Sequence, residues 1–90
     1  MSLPTITIEL FGMPRARAGV RELVVSAATV GDALAEVIAK CPTLANVVNA
    51  DGGLAPQYLL SLDGKRFVSD VSQPLQPGDR LLLLSSDAGG

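Results

Sequence analysis

Few side chains in this sequence could support covalent or metal chemistry. The 90 residues include no histidine, which is the commonest general base and metal ligand in proteins. The single cysteine, Cys41, precedes Pro42 at the end of an apolar helical pattern and is expected to be a buried thiol. One cysteine forms neither a structural zinc site nor an intrachain disulfide. We therefore expect no metal site, no stably bound cofactor and no enzyme activity from the side chains alone.

The C-terminal segment is the remaining candidate for chemistry. Residues 85–90 read Ser-Ser-Asp-Ala-Gly-Gly, and at ~3.3–3.6 Å per extended residue they reach about 20 Å. Gly89 and Gly90 have no Cβ, so their backbone can pass a narrow channel and adopt φ values closed to other residues. The sequence therefore leaves two alternatives: the end of the chain is itself the working part, or it is an inert tail.

The composition indicates one small globular domain. Hydrophobic residues make up 48% of the chain and charged residues 18%, which is globular rather than disordered composition. The net charge of −2 argues against a nucleic-acid binder, which normally carries a basic stripe, and we expect Arg15 and Arg17 to be solvated loop residues. No apolar run approaches the ~18 residues that span a membrane, and no signal peptide is visible. We expect a cytoplasmic protein that binds neither nucleic acid nor membrane.

The elements that must position the tail follow from hydrophobic periodicity. Thr29 is the predicted N-cap of one clear helix, with Asp32 three residues on, and Pro42 closes that helix. The Asp63-Gly64 step supplies the positive φ of a tight hairpin turn. The predicted strands are residues 5–11, Val20–Ser26, two strands within residues 57–70, and Leu81–Leu84. We predict an α+β fold with a mixed four- to five-stranded sheet and one main helix on one face, comprising residues 1–84, followed by a flexible tail of residues 85–90.

The four consecutive leucines of the last strand predict an exposed apolar patch. A strand with one wet face should alternate, and one helix covers only one face of a sheet. We expect Leu81 and Leu83 to point inward and Leu82 and Leu84 outward, the alternative being simple β-propensity. The predicted partner-binding residues are Phe11, Leu59, Leu82 and Leu84.

The order of elements, ββαββ with the chain running off the final strand, resembles the β-grasp or ubiquitin-like fold. Three stretches are similar to the MoaD/ThiS-type sulfur-carrier family, which includes the molybdopterin synthase small subunit and the thiamine-pathway sulfur carrier. They are ITIELFG at residues 6–12, TVGDALAEV at residues 29–37, and LQPGDRLLLL at residues 75–84 followed by the final Gly89-Gly90. The resemblance covers nearly the whole chain. The length of the chain favours the molybdopterin type over the thiamine type, which tends to be shorter.

The resemblance implies a carrier cycle. An adenylyltransferase of the ubiquitin-activating type would adenylate the Gly90 carboxylate with ATP and magnesium, and a sulfurtransferase would help convert it to a thiocarboxylate. A large synthase subunit, joined to the carrier in a heterotetramer, would then receive the sulfur for molybdopterin. Three alternatives stay open: sulfur carriage for thiamine, cysteine or tRNA thiolation, a ubiquitin-like modifier that joins Gly90 to lysines, and an interaction module with an inert tail.

Overall fold

The computed structural model describes residues 3–86 of the chain. The elements in chain order are β1 (Thr5–Leu10), α1 (Gly12–Ala18), β2 (Glu22–Ser26), α2 (Val30–Lys40), a 3₁₀ helix (Pro42–Val47), β3 (Tyr58–Leu62), β4 (Arg66–Phe67) and β5 (Arg80–Ser85). The predictions for Gly89 and Gly90, and for the tail from Asp87 onward, lie outside the described residues. No helix within residues 3–86 is long and apolar enough to cross a membrane.

The strands form one mixed sheet with the order β2-β1-β5-β3-β4. β1 runs antiparallel to β2 and parallel to β5, and β3 runs antiparallel to both β5 and β4. The predicted α+β, β-grasp architecture is confirmed, with five strands. Because β5 occupies the centre of the sheet, the C-terminal end of the chain leaves from the middle of the sheet rather than from an edge.

Helix α2 packs on one face of this sheet, as its sequence pattern predicts. The Thr29 side chain caps it by accepting a hydrogen bond from the Asp32 backbone N–H at 3.2 Å, which satisfies one of the donors that a helix leaves unpaired. The helix ends at Lys40, ahead of the expected proline. Its buried residues are Val30, Ala33, Leu34 and Val37, whereas Ile38 and Cys41 are half-buried. Together with the inward residues of the strands they form the core.

The connection between β1 and β2 is a short helix, so the predicted loop is wrong. Pro14 lies in the first turn of α1, where a backbone N–H has no intrahelical partner, and its ring is buried. Gly19 closes the helix in the left-handed conformation, φ 74°, with its N–H donating to the Arg15 carbonyl at 2.9 Å. The proline and glycine of this connection therefore start and end a helix. β1 also stops at Leu10, which leaves Phe11 as the N-cap of α1.

The second hairpin and the last strand follow the prediction closely. Asp63 and Gly64 both have positive φ, 56° and 70°, and the Lys65 N–H closes the turn onto the Leu62 carbonyl at 3.0 Å. β5 extends one residue beyond the predicted strand at each end, from Arg80 to Ser85.

Candidate functional site

The sheet face opposite α2, here called the outer face, carries the predicted partner-binding leucines. Leu81 and Leu83 have no exposed surface, whereas Leu82 and Leu84 are half-buried on the other side of β5. This confirms the predicted orientation of the four leucines. β5 is therefore apolar on both sides. Its inner side belongs to the core, and its outer side forms part of the sheet surface.

Cross-strand pairing gathers an apolar surface around β5. Leu84 lies directly opposite Leu59 in β3, and Leu82 lies opposite Ser61, which in turn pairs with Phe67 in β4. Directly paired side chains on one face are close enough to pack together. Leu59 is 36% exposed and Phe67 66% exposed. We call this set, Leu59, Phe67, Leu82 and Leu84, the outer patch.

Phe67 belongs to the outer patch but is absent from the sequence-based prediction. It is the most exposed of the large hydrophobic residues in the described part of the chain. A single aromatic in a chain with 3% aromatics is a weak signal, but its position in a short edge strand is informative. An exposed aromatic beside partly exposed leucines is typical of a surface that a partner covers.

Phe11 lies at the margin of the outer patch rather than within a strand. Its backbone N–H donates to the Leu83 carbonyl at 3.0 Å, which continues the β1–β5 pairing by one residue. Its ring is half-buried, and the guanidinium carbon of Arg15 sits 5.5 Å from the ring centre. The structure thus brings three predicted leucines together and places Phe11 beside the end of β5.

The other half of the outer face is charged. Glu9 in β1 and Glu22 in β2 are directly paired, and like charges in that position repel each other. Arg80 Nη1 offsets this repulsion because it contacts Glu9 Oε1 and lies 3.7 Å from Glu22 Oε2. The outer face therefore combines an apolar half, the outer patch, with an ionic half around Glu9, Glu22 and Arg80.

The chain leaves the sheet beside the outer patch. The Ser86 N–H donates to the Gln57 carbonyl at 2.7 Å, and the Ser86 hydroxyl donates to the Pro56 carbonyl at 3.0 Å. These bonds hold the chain against the start of β3 two residues beyond Leu84. Any partner that covers the outer patch therefore lies close to where Asp87–Gly90 begin.

Several small proteins of known structure share this geometry. No protein-family model matches the chain, and no curated protein sequence matches it significantly. The crystal structure of SAMP1 from Haloferax volcanii superposes with a TM-score of 0.83 at 29% identity, covering 96% of this chain and 99% of that one. A putative molybdopterin converting factor subunit 1 from Pyrococcus furiosus gives 0.74 at 21% identity, covering 91% and 97%.

A third similar structure, the BexX/CysO complex of Amycolatopsis orientalis, gives a TM-score of 0.80 at 19% identity, covering 94% of this chain and 99% of the matched chain. The chain has the ubiquitin-like β-grasp fold of these structures and resembles the MoaD/ThiS-type proteins. Residues 3–86 gather no group of three or more side chains that could hold a metal ion. The likeness to SAMP1 at 29% identity indicates the coarse functional class of a ubiquitin-like sulfur carrier or protein modifier.

Proposed function

We propose that this protein carries sulfur as a thiocarboxylate on Gly90 and donates it in molybdopterin biosynthesis. The observation that carries the proposal is the position of the outer patch. β5 displays Leu82 and Leu84 immediately before the chain leaves the sheet at Ser85–Ser86. A partner that docks on the patch receives the last four residues at a fixed distance from its own site.

The chemistry assigned to Gly90 proceeds in two displacements. A carboxylate oxygen attacks the α-phosphorus of ATP, and pyrophosphate leaves, giving an acyl adenylate. A hydrosulfide equivalent from a sulfurtransferase partner then attacks the carbonyl carbon, and AMP leaves with the electron pair of the broken bond. The product is a thiocarboxylate. ATP and magnesium belong to the activating partner, because the role of this chain is to present the carboxylate.

The outer patch offsets the cost of ordering the tail. Fixing each of the residues Asp87–Gly90 costs about 1–2 kcal/mol of backbone entropy. Burying apolar side chains yields about 25 cal/mol per Å², so covering the outer patch contributes several kcal/mol. Docking and tail insertion are therefore expected to occur together. A tail peptide without the domain should be a poor substrate.

Three partners follow from this cycle. They are an adenylyltransferase of the ubiquitin-activating type, a sulfurtransferase and a large synthase subunit in a heterotetramer. The likeness to a putative molybdopterin converting factor subunit 1 supports the synthase assignment, and the BexX/CysO complex shows that a protein of this fold forms a complex with another protein.

A protein modifier is the second candidate function. It is favoured by the likeness to SAMP1. The name stands for small archaeal modifier protein 1, as in the similar solution structure from Methanosarcina acetivorans. Both functions begin with adenylation of the same carboxylate. They differ in the nucleophile that follows, sulfide in one case and a lysine amine in the other.

Intact-mass analysis of the protein from its native cell separates the two functions. A sulfur carrier is expected to gain the mass that corresponds to one oxygen replaced by one sulfur, and this gain should disappear on alkylation and hydrolysis. A modifier instead leaves isopeptide-linked Gly90 remnants on the lysines of other proteins. Detection of neither product, in cells that contain the activating partner, contradicts the proposed function.

Replacing Leu84 with glutamate should weaken binding to the adenylyltransferase by about tenfold or more, which corresponds to about 1.4 kcal/mol. A charge placed in the apolar centre of an interface is desolvated without a partner. Titration calorimetry with the purified adenylyltransferase measures the change. Val24→Glu is the matched control, because Val24 lies on the same face in β2, is 54% exposed and is outside the outer patch.

Leu59→Glu is a second patch variant for the case in which Leu84→Glu does not fold. Leu59 is more exposed than Leu84, so its replacement disturbs the fold less. Both patch variants are expected to melt cooperatively. Equal weakening by Val24→Glu would point to a general charge effect, and normal binding by Leu59→Glu and Leu84→Glu would contradict docking on the outer patch.

A further inference from the structure

The ionic half of the outer face contains a groove of about 470 Å³. Its lining residues are Glu9, Phe11, Arg15, Arg21 and Glu22. Glu9 of the groove pairs directly with Leu82 of the outer patch, and Phe11 lies beside the end of β5. The groove is thus a polar extension of the apolar docking surface, on the side of the sheet away from β3 and β4.

Two arginines of the groove form hydrogen bonds with the backbone of Leu10. The Leu10 N–H donates to the Arg21 carbonyl at 2.8 Å, and the Leu10 carbonyl accepts from Arg15 Nε at 3.0 Å. Arg15 also lies against the Phe11 ring. These contacts restrict Arg15 while leaving its terminal guanidinium nitrogens available. Restricting a long side chain before binding lowers the entropy lost when a ligand arrives.

The carboxylates of the groove are already engaged by another residue. Glu9 and Glu22 contact or approach Arg80. Within residues 3–86, neither Arg15 nor Arg21 has a carboxylate oxygen within 4 Å. The cluster of three arginines and two glutamates is therefore locally positive, although the chain as a whole carries a net charge of −2.

We propose that this groove binds an acidic segment of the activating adenylyltransferase, whose carboxylates pair with Arg15 and Arg21. A guanidinium presents its N–H donors as a planar fork that matches a carboxylate, so two of them favour a segment with two acidic side chains. Continuity with the outer patch through the paired residues Glu9 and Leu82 assigns both surfaces to the same partner. The inference rests on the proposed function, because it names the partner of that same docking face.

The groove sets the rate and orientation of docking, and the outer patch holds the complex together. Charged pairs at the rim of an interface act mainly on the association rate and are screened by salt. Burial of apolar surface depends less on salt. Loss of the two arginines should therefore slow association at low ionic strength and flatten its salt dependence.

The test measures association of the full chain with the purified adenylyltransferase by stopped-flow fluorescence across a series of salt concentrations. Arg15→Gln/Arg21→Gln is expected to associate about tenfold more slowly at low salt, within the range that electrostatic steering produces, and to show a shallower salt dependence. Lys40→Gln/Lys65→Gln removes the same charge away from the groove and should behave like the unsubstituted chain. Arg15→Lys/Arg21→Lys keeps the charge but loses the fork, so it should retain the salt dependence and dissociate faster.

Adenylation, measured as pyrophosphate release in the same samples, distinguishes the groove proposal from the proposed function. The groove proposal is overturned if Lys40→Gln/Lys65→Gln slows association as much as Arg15→Gln/Arg21→Gln does, or if Arg15→Gln/Arg21→Gln does not slow it. The proposed function is unaffected by either result. Binding without adenylation of the unsubstituted chain overturns the proposed function alone. Absence of binding by the unsubstituted chain overturns both.

Discussion

Removal of Gly90 is expected to abolish adenylation and thiocarboxylate formation while leaving the melting temperature unchanged. The shortened chain still ends in a glycine carboxylate, but that carboxylate lies about 3.3–3.6 Å short of its position in the full chain. Because a reacting pair must approach to about 3–3.5 Å, a shift of one residue removes the productive geometry. The fold is not affected, since β5 ends at Ser85.

ATP–pyrophosphate exchange with the purified adenylyltransferase measures this loss directly. Gly90→Ala is the matched control, because it keeps the length and the carboxylate and adds only a Cβ. It should bind normally and react more slowly, since the added carbon narrows the passage through the partner. Undiminished exchange by the chain without Gly90 would show that the carboxylate of Gly90 is not the reacting group.

The main helix could be predicted because local and tertiary signals agree. Thr29 offers the cap, Pro42 ends the possible helix, and the apolar spacing between them matches one buried stripe. The same agreement holds for the turn at Asp63–Gly64, where positive φ values favour those residue types. In such segments the fold adds packing energy to a conformation that the sequence already prefers.

Helix α1 could not be predicted, because its local sequence opposes it. Seven residues are too few for a helix to be stable alone, and the segment contains Pro14 between two glycines. Tertiary contacts supply the stability instead. Pro14 is buried, and the Thr43 hydroxyl donates to the Arg17 carbonyl at 2.9 Å near the end of the helix. Helix α1 carries Arg15, which lines the groove. Because the helix could not be predicted, the sequence alone indicated a solvated loop and no groove.

Phe67 escaped prediction because of the strand register. A hairpin with only Asp63–Gly64 in its loop would pair Phe67 with Leu60, on the core face. In the structure Lys65 is an extra residue between turn and strand, and Phe67 pairs with Ser61 on the outer face. A shift of one residue moves every side chain of a strand to the opposite face. Sequence periodicity does not reveal that shift in a strand of two residues.

Adjacent leucines of β5 are expected to give opposite phenotypes. Leu83 has no exposed surface and packs between Leu10 of β1 and Leu60 of β3, so Leu83→Ala should lower the free energy of unfolding by about 2–5 kcal/mol. For a domain of this size the melting temperature should fall by about 10 °C or more. Leu82→Ala, half-buried on the outer face, should cost less than about 1 kcal/mol of stability and mainly weaken adenylyltransferase binding.

The comparison is informative because the two residues are both leucine, lie in the same strand between the same two neighbouring strands, and occupy opposite faces. Urea unfolding followed by circular dichroism measures the stability of each variant, and calorimetry measures its affinity at a temperature where both are folded. A stability loss at Leu82 as large as at Leu83 would mean that the outer face is as tightly packed as the core, and the outer patch could then not be a free docking surface. Normal stability and weak binding at Leu82 instead separate folding from docking within two consecutive residues, which is what a strand serving a core on one side and a partner on the other requires.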